Sequence, residues 1–167
     1  MTLFSITELK NFMARLLGTD CFDSFLLEEA SISCAAEYHI DGHMNKDFYT
    51  QKEWEDPAVR PYDFATWNSQ RSLCFSMIKG SRTPSAFKFV LHLMPEYIPG
   101  VLKGADASLK PEQVKALVLT IKYDGSAITI VTGTAFSSFV MDKSLDAQWD
   151  KTMRQFLTKK GIAFTEK

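Results

Sequence analysis

The sequence predicts an α+β domain: an antiparallel sheet, or two packed sheets, of about five or six strands, covered by three main helices. Three observations predict it. Two Asp-Gly pairs, Asp41-Gly42 and Asp124-Gly125, each lie between runs of alternating apolar and polar residues. Asp-Gly suits the two-residue type I′ turn, whose central residues both need positive φ. Segments at about 6–17, 64–79 and 144–160 instead repeat apolar residues at helical spacing. Beyond residue 115, three strand-like runs follow one another at short intervals and read as a meander. A sheet built this way is antiparallel, which disfavours the doubly wound parallel folds that bind nucleotides at strand carboxyl ends.

The first helix starts from Ser5-Ile6-Thr7-Glu8, a capping-box pattern with Ser5 as N-cap, flanked by Phe4 and Leu9 as a hydrophobic staple. Leu9, Phe12, Met13, Leu16 and Leu17 form one apolar stripe before Gly18. Residues from about 26 to 40 then run strand-like into Asp41-Gly42 and return through Met44 to Tyr49. A two-residue turn here pairs Ile40 with His43, His39 with Met44 and Glu37 with Lys46. The acidic stretch around Glu53, Glu55, Asp56 and Pro57 is a surface loop or short helix.

A second helix carries Trp67, Arg71, Cys74, Met77 and Ile78 near one face and stops at Gly80. Phe87, Phe89, Leu91 and Leu93 alternate with Lys88, Val90 and His92, so this strand has one face on the core. Pro95 and Pro99 break it, and an irregular stretch leads to strands at about 116–123, 127–133 and 135–141, the first two joined by Asp124-Gly125. The last helix begins near Asp142 or Ser144, carries Leu145, Trp149, Met153, Phe156 and Leu157, and ends at Gly161. Helix followed by strands occurs twice, at 6–49 and 64–141, the pattern a decayed duplication leaves.

With 167 residues, 46% hydrophobic, 23% charged and 13 Phe, the chain fits one soluble globular domain over 1–167. A formal net charge of -1 supplies no overall field for phosphate backbones, which disfavours nucleic acid as a partner. Met1 to Glu8 lacks a basic leader followed by an apolar run, and no segment offers the roughly 20 apolar residues of a membrane span, so the expected compartment is the cytoplasm. Cys21, Cys34 and Cys74 are widely spaced and read as small buried hydrophobes, not as a disulfide framework or zinc site.

Several constellations bear on chemistry. His39 and His43 flank carboxylates as metal ligands do, but the two-residue hairpin sends the imidazoles to opposite faces, so no metal is expected. Lys79-Gly80-Ser81-Arg82-Thr83 resembles a phosphate loop in composition, yet follows a helix at its negative end. Arg71 interrupts the apolar stripe of its helix and could present its planar fork to a carboxylate or phosphate, or pair with a surface carboxylate. The motifs Gly-x-Ser-x-Gly and His-Glu-x-x-His are absent from the sequence. Any imidazole base is therefore His39, His43 or His92, of which His92 is best placed as the candidate catalytic residue. The strand face of Lys88 and His92, extended by Thr120 and Lys122 if their strands are neighbours, is the expected contact surface.

Ile40-Asp41-Gly42-His43-Met44-Asn45-Lys46-Asp47-Phe48, Ile78-Lys79-Gly80, Thr132-Gly133-Thr134 and Asp142-Lys143-Ser144-Leu145 with Trp149-Asp150 together resemble an uncharacterised bacterial single-domain family of unknown function. The resemblance covers nearly the whole chain, implies one cytosolic domain, and carries over no functional residue. The order of helix and strands, with the hairpin Leu119 to Ile128, is also similar to the repeating units of DNA sliding clamps. The leading expectation is a non-enzymatic binding or protein-interaction module that needs no cofactor, with Arg71, Lys88, His92 and Lys122 as binding residues. The alternatives are a small enzyme or binder for an anionic metabolite, using Arg71 and Lys88 for the anion and His92 as acid or base, and a clamp-like nucleic-acid accessory protein.

Overall fold

A computed structural model describes residues 1–105 and 108–167. Its strands are β1 (Leu3–Ile6), β2 (Phe25–Ser33), β3 (Glu37–Asp41), β4 (Ala65–Thr66), β5 (Ala86–Leu93), β6 (Val114–Tyr123), β7 (Ile128–Phe136) and β8 (Phe164–Glu166). The helices are α1 (Leu9–Gly18), α2 (Gln51–Glu55), α3 (Trp67–Ile78), α4 (Ile98–Leu102) and α5 (Ser144–Lys159). The predicted class is α+β and so is the fold, with one sheet of eight strands in place of five or six. Its order is β3-β2-β5-β6-β7-β1-β8, with β4 on β2 beside the end of β3, and every pairing is antiparallel.

The alternation read from the sequence decides which face is covered. Phe87, Phe89 and Leu91 lie opposite Tyr123, Ile121 and Leu119, and Ile121 and Leu119 lie opposite Ile130 and Thr132. With Phe4, Leu27 and Ile32 these form one continuous buried layer, onto which the three long helices pack. α5 seats Leu145, Trp149, Met153 and Leu157, all at most 1% exposed, and the Trp149 indole N–H donates to the Val118 carbonyl at 3.1 Å. α3 sinks Trp67 against Phe89, with ring centroids 5.3 Å apart, and its indole donates to the Leu16 carbonyl of α1 at 3.0 Å. The opposite face carries Lys88, His92, Thr120 and Lys122 and has no long helix over it.

The two Asp-Gly pairs behave differently. Asp124-Gly125 turns the β6–β7 hairpin in a four-residue loop: Gly125 has φ +100°, and the Asp124 carboxylate accepts from the Ser126 and Ala127 N–H groups at 2.9 and 2.8 Å. Those N–H groups, Ala127 first, hold its carboxyl below the usual range. Asp41-Gly42 is no hairpin turn, and the predicted pairings of Ile40 with His43 and Glu37 with Lys46 do not form. The chain reverses instead at 34–36, pairing Ser33 with Glu37 and Glu29 with Asp41. Gly42 is glycine for another reason: a Cβ there would lie 1.7 Å from the Leu27 carbonyl oxygen. Its N–H donates to Glu28 O at 2.8 Å and its carbonyl accepts from Ala65 N–H at 2.7 Å, riveting the exit of β3 to the entry of β4.

Three further expectations are corrected. Ser5 lies in β1, not at an N-cap, because Phe4 pairs with Ile130 and Glu166; α1 starts from Glu8 with no side-chain cap. The predicted strand at 135–141 is absent: β7 runs unbroken to Phe136, and residues 137–143 are irregular. The return segment after Gly42 is an excursion holding α2, whose Thr50 and Glu53 form a capping box. The first run of elements is β1-α1-β2-β3, and the second, β4-α3-β5-α4-β6, carries an extra short helix between its last two strands; β2 pairs with β5.

Candidate functional site

The helix stripe of α1 divides its work. Phe12 and Leu16 are fully buried in the core, whereas Leu9, Met13 and Leu17, spaced one helical turn apart, line a cavity of about 630 Å³. Phe75 and Ile78 of α3 form a second wall, Phe87, Tyr123 and Ile128 at the ends of three strands form the floor, and Pro84 closes one side. Phe87 and Tyr123 stack at 5.2 Å, so the floor is a rigid aromatic surface. Lys10, Lys79, Thr19 and Thr83 bring the polar atoms, and both lysines are exposed. Among the described residues, no carboxylate and no histidine lines this cavity. Its size and apolar lining are those of a small-molecule site.

The predicted contact surface divides differently. Lys88 and Lys122 lie directly opposite one another, and Thr120 is opposite Val90, so the strands are neighbours. Lys88 Nζ meets Glu29 Oε1 at 2.9 Å, while Lys122 has no carboxylate partner among the described residues. His92 Nε2 lies 2.7 Å from Glu28 Oε2, and its ring packs edge-on to Phe64 at 4.8 Å. Glu28 reaches it because β2 shifts register between Leu27 and Glu29.

Arg71 is on α3, in the helix layer, where its Nη2 donates to Asp23 Oδ2 at 3.4 Å and to Asn68 Oδ1 at 3.1 Å, and its Nε lies 3.4 Å from Asp23 Oδ1. Arg71 and His92 are therefore not brought together: one serves the helix side of the sheet, the other the open side.

His39 and His43, expected on opposite faces, line one cleft of about 470 Å³ with Glu28, Glu29, Asp41 and Lys88. The changed register is the reason, since Asp41 now ends a strand. His43 Nδ1 sits 2.6 Å from Asp41 Oδ1, its ring packs on Phe64 at 4.6 Å, and its backbone N–H followed by its ring hold the Asp41 carboxyl below the usual range. Among the described residues, no group of three or more His, Cys, Asp or Glu is disposed to hold a metal ion. All three cysteines are free, and burial pushes the Cys74 thiol up to about 12, so it is no nucleophile at neutral pH.

Sequence reasoning missed the cavity because its walls were read as core. Two signals pointed to it. Lys10 stands in the first turn of a helix that has no acidic residue there, against the dipole. Phe75 falls off the apolar face assigned to its helix and is 48% exposed.

No helix among the described residues is long and apolar enough to cross a membrane. No curated protein and no solved structure matches the chain, so the likeness to clamp units stays one of element order. Residues 15–165 match a family of unknown function, and the chain belongs to that family, DUF5721.

Proposed function

We propose that the chain is a non-enzymatic binding module of the cytoplasm, a single domain whose apolar cavity between α1, α3 and the sheet takes a small apolar molecule. The cavity carries this reading: about 630 Å³ of space is walled by Leu9, Met13, Leu17, Phe75, Ile78 and Phe87, with no carboxylate, histidine or cysteine among the described lining residues. A pocket so lined gains affinity by removing apolar surface from water. Elsewhere the candidate acids and bases are engaged in pairs, His92 with Glu28, His43 with Asp41 and Arg71 with Asp23. The neutral dye N-phenyl-1-naphthylamine should bind saturably at one site with a fluorescence increase, and Ala14→Phe, which places a ring over the cavity from exposed α1, should abolish it. Binding that fails to saturate, or survives that substitution, overturns the reading.

A second reading rests on the facing lysines Lys88 and Lys122. Like charges directly opposite each other on a strand pair are destabilising, so their juxtaposition, with His92 on the same face, favours an anionic surface of a partner protein. Reversing both charges should lower partner capture in a pull-down severalfold, and unchanged capture excludes it.

A further inference from the structure

We infer that the natural occupant of the cavity is a single-chain amphiphile with an anionic head, its apolar tail lying along Leu9, Met13, Phe75 and Phe87 and its carboxylate or phosphate held between Lys10 and Lys79. The inference rests on the apolar-cavity reading above and adds the chemistry of the head group.

Charge complementarity at the mouth points to it. Lys10 and Lys79 come from different helices, line the same cavity, are exposed, and have no carboxylate partner among the described residues. Two arginines of the same helix layer are by contrast engaged, Arg71 with Asp23 and Arg154 with Glu166. Lys79 lies over the Phe75 ring at 5.9 Å, so one cation already stands above the apolar wall that a tail would follow. Lys10 lacks a stabilising role in its own helix, because a cation in the first turn opposes the dipole and Glu8 gives α1 no side-chain cap. Thr83 adds a hydroxyl to the same lining, while the Thr19 hydroxyl is committed to the Arg15 carbonyl at 2.6 Å. The lining offers positive charge and a hydroxyl and no carboxylate, which suits an anion and repels a cation.

Alkyl chains of 8 to 14 carbons ending in carboxylate, phosphate, hydroxyl or trimethylammonium, each kept below its critical micelle concentration, test this by displacement of the neutral dye. Each added methylene should tighten binding by roughly two- to fourfold, as burial of a CH₂ predicts. At equal length the carboxylate and phosphate should bind roughly tenfold tighter than the alcohol, an advantage that shrinks with added salt. With both Lys10→Glu and Lys79→Glu, carboxylate and phosphate should bind no tighter than the alcohol of equal length measured on the same variant. Equal affinity for alcohol and carboxylate, or preference for the ammonium, overturns the head-group inference and leaves the cavity reading standing. No displacement by any chain, with the dye still bound, overturns the amphiphile, and a dye that never bound overturns the cavity reading itself. Binding only when the lipid is presented in vesicles of phosphatidylglycerol and phosphatidylcholine overturns the free amphiphile in favour of a membrane surface.

Discussion

The two halves of the helix layer cover the same sheet with opposite results. Under α5 the seat is full: Trp149, Met153 and Leu157 are at most 1% exposed, and an indole hydrogen bond to Val118 fixes the depth. Between α1 and α3 the same kind of apolar side chains leave about 630 Å³ open. Composition does not separate the halves, since both are built from Leu, Met and aromatic residues. Spacing does. The buried residues of α5 repeat as one narrow stripe aimed at β7, whereas the apolar residues of α1 cover two adjacent stripes, Phe12 and Leu16 in the core and Leu9, Met13 and Leu17 along the cavity. An apolar stripe wider than its contact is the mark of a surface kept for something else.

Truncation tests that contrast directly. Trp149→Ala should cost about 3–5 kcal/mol, since it leaves a large void and removes the indole hydrogen bond to the Val118 carbonyl. At this chain length that is a drop in Tm on the order of 10 °C in a thermal scan. Met13→Ala, on the cavity side, should cost under about 1 kcal/mol because the side chain is only half buried, yet it should weaken dye binding measurably. A loss at Met13 as large as that at Trp149 would show the cavity to be closed in solution and break the comparison.

Legibility followed how local each cause is. The β5 alternation, the α5 stripe and the Asp124-Gly125 hairpin depend on neighbours a few residues away, and each is where the sequence puts it. Gly42 obeys a distant cause, the backbone of Leu27 pressing on its Cα, and an Asp-Gly pair written for that contact reads like a turn. Misreading it also misplaced His39 and His43. Ser5-Ile6-Thr7-Glu8 fits a capping box by residue type, but Phe4 finds Ile130 across the fold and the strand wins. Of the predicted binding residues, Lys88, His92 and Lys122 share a face because strand alternation is local, while the position of Arg71 depends on how α3 docks. The cavity was illegible because an apolar residue has the same letter whether it faces a neighbour or a hole.

The pairing of β1 sets the timetable of synthesis. Leu3 is registered against Val131, so a strand made near the start has no partner until β7 has left the ribosome, a delay on the order of ten seconds at 5–20 residues per second. For that interval Phe4 and Ile6 are apolar side chains without a seat, on a strand with both edges free. β2 and β3, three residues apart, are partners as soon as both are made, so the late-made side of the sheet is β7-β1-β8, and β1 is the strand whose apolar side chains wait longest for cover.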